Sequence, residues 1–239
     1  MVAVVALGGC RADVSVEVET AAGGGGRVVA VVRLDGQAVE QVPDLADQLR
    51  VDDLEAAGWV VEGPTPAPGG GATLEASKPF SSTAGARRAL DELGGPSGPF
   101  RNLRLAQDRG FWRTRSTLSG TVDLSAGLGA FGDDALAEEL GSPTLGIDPA
   151  GLERELGRPL GDVLGFEVVA DLAGRSDDDA PGTRAGDAVW PVPLGATVEV
   201  RATSVAWNAV RVATSAVAVG SGLALLVVVV RRSRGMSWG

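Results

Sequence analysis

The chain has no histidine and no tyrosine, and a single lysine, Lys78, among its 239 residues. Without histidine the commonest general acid and base is missing, and with it the Ser-His-Asp and Cys-His arrangements of nucleophilic catalysis. Cysteine is nearly absent too. Cys10 is the single one, so no disulfide closes within the chain. One thiol and no imidazole leave zinc and the other transition metals without a ligand set. Basic residues number 21 against 31 acidic ones, for a net charge of −10. Phosphate backbones are held by clustered Lys and Arg, so this balance argues against nucleic acid as a partner. No metal or other cofactor is expected. The composition points away from an enzyme and towards a binding or structural role.

What the sequence does contain is a long apolar run near its end. Residues 212–230 carry no charge and nothing more polar than Thr214, Ser215 and Ser221. A helix needs roughly 20 apolar residues to cross a bilayer, and a soluble helix shows a polar stripe that this run lacks. The run predicts one C-terminal transmembrane helix. Arg231, Arg232 and Arg234 follow it directly. Positive charge beside a span stays in the cytoplasm, so these arginines predict a cytoplasmic tail (231–239) and an extracytoplasmic N-terminal domain.

The other end suggests a second anchor. Leu7-Gly8-Gly9-Cys10 resembles a bacterial lipobox, in which small residues before a cysteine allow cleavage and the thiol is acylated. A basic n-region and a full-length apolar h-region, as a signal peptide has, are not found before Cys10. The two readings of Cys10 are therefore the lipidation site and a free thiol or strand start. The expected layout is a signal or lipobox remnant (1–10), an extracytoplasmic domain (11–204), a juxtamembrane stretch (205–211), the span (212–230) and the tail.

Within the domain the pattern is mostly that of strands. Val14, Val16 and Val18 alternate with Ser15, Glu17 and Glu19, the period of a half-buried strand. The glycines 23–26 lead into a second β-rich run, Arg27–Leu34, which makes a hairpin. That glycine run has no following Lys-Ser/Thr and no helix, so it is no phosphate cradle. Further strands are expected at 59–62, 72–78, 100–106, 111–124, 166–172, 187–191 and 197–203. Helices are expected within 43–57, from a cap at Ser81 or Ser82 to Leu93, and within 125–162, where Asp148 precedes Pro149 at a helix start. Residues 175–186 read as an exposed turn. The expected fold class is α+β: a largely antiparallel sheet of about eight strands with a few short helices, plus the transmembrane helix.

Several stretches together resemble the LppM-like family of actinobacterial membrane lipoproteins. They are the lipobox followed by Asp13-Val14-Ser15-Val16-Glu17-Val18, the segment Phe100-Arg101-Asn102-Leu103-Arg104-Leu105, then Phe111-Trp112 and Gly120-Thr121-Val122-Asp123-Leu124. Phe166 to Gly174, Val189-Trp190 and Leu194-Gly195 complete the set. Where the family has Leu-Pro-Gly after the penultimate strand, this chain has Ala173 in place of the proline. The resemblance carries no catalytic motif. It implies an envelope module that binds lipid or glycolipid, in particular mannosylated phosphoinositides.

The candidate ligand-binding residues follow from the long strand at 111–124. Trp112, Leu118 and Val122 share one parity, while Arg113 and Arg115 face the other way. Trp112 is either core or a ligand platform. The two arginines either line a solvated sheet face or meet a lipid phosphate bidentately. The aspartates at 52–53, 133–134 and 177–179 lack the ligand spacing of a calcium loop. Glu17 and Glu19 read as a solvent-facing pair rather than a carboxylate dyad. The expected function is a membrane-anchored, non-enzymatic envelope protein that binds lipid or glycolipid. The alternative is a scaffold that docks another envelope protein. A sheet curled round an apolar lumen favours the first, and a solid core with an exposed apolar patch favours the second.

Overall fold

A computed structural model describes residues 11–41, 51–95, 98–131, 151, 153–154 and 157–208. Strand β1 (Ala12–Thr20) follows the alternation, with Val16 and Val18 buried against the core and Glu17 and Glu19 on the other face. β2 (Gly26–Leu34) returns in unbroken antiparallel register, from Ala12 opposite Leu34 to Thr20 opposite Gly26. Such valine-rich runs suit a pleated, half-buried surface.

The remaining strands are β3 (Val60–Pro66), β4 (Ala72–Phe80), β5 (Arg104–Arg109), β6 (Arg113–Asp123) and β7 (Leu164–Leu172). They are followed by β8 (Arg175–Asp178), β9 (Gly182–Arg184), β10 (Asp187–Pro191) and β11 (Thr197–Trp207). Between them lie the helices α1 (Gly36–Gln41), α2 (Val51–Ala56), α3 (Thr83–Gly94) and α4 (Leu160–Val163). The strands form two sheets, one of seven in the order β3-β4-β2-β1-β7-β10-β9 and one of four in the order β5-β6-β11-β8. β1 and β7 run parallel, and every other pairing among the described residues is antiparallel.

This corrects the expected fold class. The domain is mostly β, with two sheets instead of one α+β sheet of about eight strands, and its helices are short. Residues 175–186, expected as a turn, supply β8 and β9 to different sheets. The expected transmembrane helix is not found. No helix among the described residues is long and apolar enough to cross a membrane, and the span 212–230 lies outside those residues.

One apolar layer joins the sheets. The seven-stranded sheet contributes Val16, Val18, Val28, Val168, Ala170 and Trp190. Leu118 and Val122 of β6 and Val200 and Ala202 of β11 meet them from the four-stranded sheet. Helix α3 covers the rest with Ala86, Ala89 and Leu90. Ser82 caps it as expected, its side chain accepting from the Gly85 amide. The lone lysine fixes its far end. Lys78 donates to Glu92 on α3 and to the Ala57 carbonyl, and its ammonium lies 5.9 Å from the Trp59 ring centre. The Trp59 indole donates to the same Glu92 carboxylate at 2.9 Å.

Two glycines let the layers close. A Cβ at Gly120 would lie 2.0 Å from the Asn102 carbonyl oxygen, and one at Gly174 would lie 2.3 Å from that of Val205. Both have positive φ (141° and 100°), where side chains are strained. The neighbouring Ala173 uses its amide to donate to Thr20 Oγ1 at 3.0 Å. A proline there would have no such donor.

The strand directions give the sandwich two distinct ends. At the hairpin end, Gln107 of β5 bonds both the amide and the carbonyl of Gly25 in the β1–β2 turn, and Arg109 donates to the Ser81 carbonyl. At the N-terminal end, β1 begins, the Val192 amide donates to the Phe166 carbonyl, and the Leu124 amide donates to that of Ala196. β11 runs from the second end to the first, roughly 35 Å for 11 residues.

Leu118 has no exposed surface. Leu118→Ala is expected to destabilise the domain by about 2–5 kcal/mol, and Leu118→Met by less than about 1.5 kcal/mol. Urea denaturation followed by tryptophan fluorescence checks both. Equal small losses would show that this site is not packed as described.

Candidate functional site

The hairpin end of the four-stranded sheet gathers aromatic rings in water. β5 and β6 are joined by a tight turn in which the Gly110 amide donates to the Arg113 carbonyl, with Phe111 and Trp112 at its centre. Turn centres favour Gly, Asn and Asp for their backbone freedom. Two large rings give the turn nothing in geometry. Phe111 is 63% exposed and Trp112 53%, with their rings edge to face at 5.7 Å.

A third ring joins them. Trp207, 64% exposed, ends β11 directly opposite Arg113 in the ladder. The next amide, of Asn208, donates to the Trp112 carbonyl at 2.8 Å. The turn and the last strand are thereby tied into one tip. Four residues after Asn208 the apolar run begins at Val212.

Arginines surround the tip. Arg113 and Arg115 are exposed on the outer face of β6, as their parity predicts. Arg115 stands opposite Val205, and Val205 stands opposite Arg175 on β8. Asp108 is the acidic neighbour of Arg115 across the β5–β6 ladder. The tip thus gathers arginines on a chain whose net charge is −10.

The other predicted site residues separate from this tip. Leu118 and Val122 share the parity of Trp112, but both are fully buried in the core, and a ligand there would have to displace packed side chains. Trp190 is likewise core, at 1% exposure. Cys10 and the arginines Arg231, Arg232 and Arg234 lie outside the described residues. Arg11 stands at the N-terminal end, so β11 carries the tip to the opposite end of the sandwich from it. Among the described residues no group of three or more His, Cys, Asp or Glu is placed to hold a metal ion. Phe111 was not singled out, and the signal that finds it is an aromatic pair between two strands where turn residues are expected.

The outer face of the seven-stranded sheet holds two acids that are pushed above their ordinary range, Glu17 and Asp171. Glu17 lies between Val29 of β2 and Val169 of β7, both buried. Burial holds the Glu17 carboxyl above its ordinary range, against the opposing hydrogen bond from Ser15 and the charge of Arg33. Burial also raises Asp171, with Asp187 and Glu19 adding repulsion. At the foot of β6, Asp123 is held low by hydrogen bonds from the Ser125 side chain and amide and from Thr197.

No family model matches the chain, and no curated protein matches it. Among solved structures, the NMR structure of the folded domain of Mycobacterium tuberculosis LppM aligns with a TM-score of 0.38 at 10% identity. The alignment covers 83% of this chain and 91% of that one. A likeness at this level assigns neither family nor function.

Glu17 yields a pH-dependent prediction. A carboxyl whose pKa is raised by folding binds its proton more tightly in the folded state, so stability falls as pH rises from the unfolded value through the folded one. Glu17→Gln removes that loss. The variant is expected to melt higher than the parent at pH 7, with the difference vanishing below about pH 4. Thermal melts across this range test it, and a lower melting point at pH 7 would contradict it.

Proposed function

We propose that the domain is a non-enzymatic module of the cell envelope that docks on membrane lipid or glycolipid through its aromatic and cationic tip. The observation that carries this reading is the placement of Phe111, Trp112 and Trp207 in solvent at one end of the four-stranded sheet, beside Arg113. Tryptophan suits the boundary between hydrocarbon and headgroups because its ring is apolar and its N–H is polar. The nearby arginines supply bidentate donors to lipid phosphate. Lipid is met at the surface in this reading, since the parity face of Leu118 and Val122 is filled by core. Acylation of Cys10 remains part of the proposal as a tether at the other end of the domain.

A second reading has its own support. A packed core with an exposed aromatic patch also fits a scaffold that docks another envelope protein. The two separate on lipid chemistry. Residues 11–208 contain both sheets and the described core, and vesicle flotation of that segment is the test. Binding is expected to phosphatidylinositol vesicles at low ionic strength. Trp112→Ala and Trp207→Ala should each weaken it by roughly tenfold. Arg113→Gln with Arg115→Gln should weaken it on phosphatidylinositol and not on phosphatidylcholine. Absence of binding to either vesicle would remove the lipid reading and leave the scaffold, and binding that ignores all four substitutions would overturn the tip as the lipid contact.

A further inference from the structure

A second cationic feature lies at the other end of the molecule, on the other sheet. A groove of about 390 Å³ opens where β1 and β7 begin, lined by Arg11, Asp13, Arg33, Gly165, Glu167 and Arg184, among others. Its charged lining has three guanidinium groups against two carboxylates, on a chain whose net charge is −10.

The two carboxylates are already engaged. Both Asp13 oxygens accept from Arg11 Nε, at 3.0 and 3.1 Å. Glu167 accepts from both terminal nitrogens of Arg184, one on each oxygen. Asp13 stands opposite Arg33 in the β1–β2 ladder and would be its natural partner. Arg11 holds that carboxylate instead, where a Cβ at Gly165 would lie 2.1 Å from Asp13 Oδ1. Gly165 is therefore what leaves space for Asp13 to lie across β7.

Arg33 is left with a hydroxyl. Its Nη1 donates to Ser15 Oγ at 3.2 Å, and no carboxylate of the described residues pairs with it. Ser15 in turn donates to Glu17 at 3.3 Å and is 1% exposed. A buried hydroxyl is costly unless bonded on both sides, and here both sides are used. The Arg33-Ser15-Glu17 chain braces one edge of the guanidinium and leaves its other N–H groups at the groove. Arg11 bonds Asp13 through Nε alone, which leaves its terminal N–H groups as further donors.

We propose that this groove binds a phosphate group, held by Arg33 and Arg11 with Arg184 completing the cationic rim. A guanidinium that reaches its nearest carboxylate, Glu17, only through Ser15 and stands beside a second guanidinium matches the bidentate geometry of a phosphate. The paired Asp13 and Glu167 fix the rim arginines and offset part of their charge, so a singly charged phosphodiester suits the site as well as inorganic phosphate. The site is independent of the aromatic tip.

The test uses the full chain in a neutral detergent, with the arginine NεH resonances followed by NMR. One arm titrates inorganic phosphate, and the other titrates phosphatidylglycerol in mixed micelles, each against chloride at equal ionic strength. Saturable shifts of Arg33 and Arg11 are expected in at least one arm. Binding in the first arm identifies free phosphate as sufficient, and binding in the second alone identifies a lipid headgroup. Arg33→Gln should weaken binding by about tenfold or more. Arg33→Lys, which keeps the charge and loses the fork, should fall between it and the parent, and it serves if the glutamine variant does not fold. Arg27→Gln, on the same sheet face but paired with Glu19 at the hairpin end, should leave binding unchanged, as should Trp112→Ala. Shifts no larger than those from chloride in both arms, or Arg33 variants that bind like the parent, would overturn the proposal.

Discussion

The inner faces of the two sheets share one apolar layer, and the rest of the domain is arranged by that contact. Trp190, Val168 and Val16 on one side and Leu118, Val122 and Val200 on the other are almost wholly withdrawn from water. Each such side chain contributes about 1.5–3 kcal/mol when fully buried. Among the described residues two side-chain polar atoms, Trp190 Nε1 and Ser204 Oγ, are buried without a hydrogen-bond partner. An orphaned group of this kind costs about 1–3 kcal/mol, a cost the apolar contact must offset. With the interior filled in this way, the lipid contact proposed above lies on the outside.

The outside is polarised along the strands. At the hairpin end the four-stranded sheet presents aromatic rings and arginines. At the N-terminal end the seven-stranded sheet presents an arginine groove next to the residue that follows Cys10. These ends are separated by the length of β11, roughly 35 Å. A lipid on Cys10 and a lipid contact at Trp207 would therefore address surfaces a full strand length apart, unless the domain lies along the membrane. In either posture the two proposed contacts would be separate.

Local alternation made the strands legible. β1, β6 and β7 stand where a period of two places them, β2 and β11 where strands are expected, and of the two candidate caps Ser82 starts α3. The division into two sheets was not legible, because it depends on pairings far apart in sequence. β1 lies parallel to β7 with about 140 residues between them, and nothing in Val14-Ser15-Val16 points to Phe166-Glu167-Val168. β8 was hidden for a related reason. Arg175–Asp178 is an acidic run that reads as a turn, and only pairing with β11 makes it a strand. At the site, the opposite facing of Arg113 and Leu118 was legible, whereas the exposure of Trp112 was not. Parity places Trp112 on the core side, but the strand begins one residue later and the ring falls in the turn. Arg11, Arg33 and Arg184 come from three strands and meet only in the folded sheet.

The central claim is that lipid is met at the tip and not in the interior. Quenching by brominated lipid reads this directly in residues 11–208, using variants that each keep one of Trp59, Trp112, Trp190 and Trp207 and carry phenylalanine at the others. On phosphatidylinositol vesicles the account predicts strong quenching of Trp112 and Trp207, and none of Trp59 or Trp190, which are 3% and 1% exposed. Quenching of Trp190 with Trp112 and Trp207 unaffected would place the lipid inside the sandwich and contradict it.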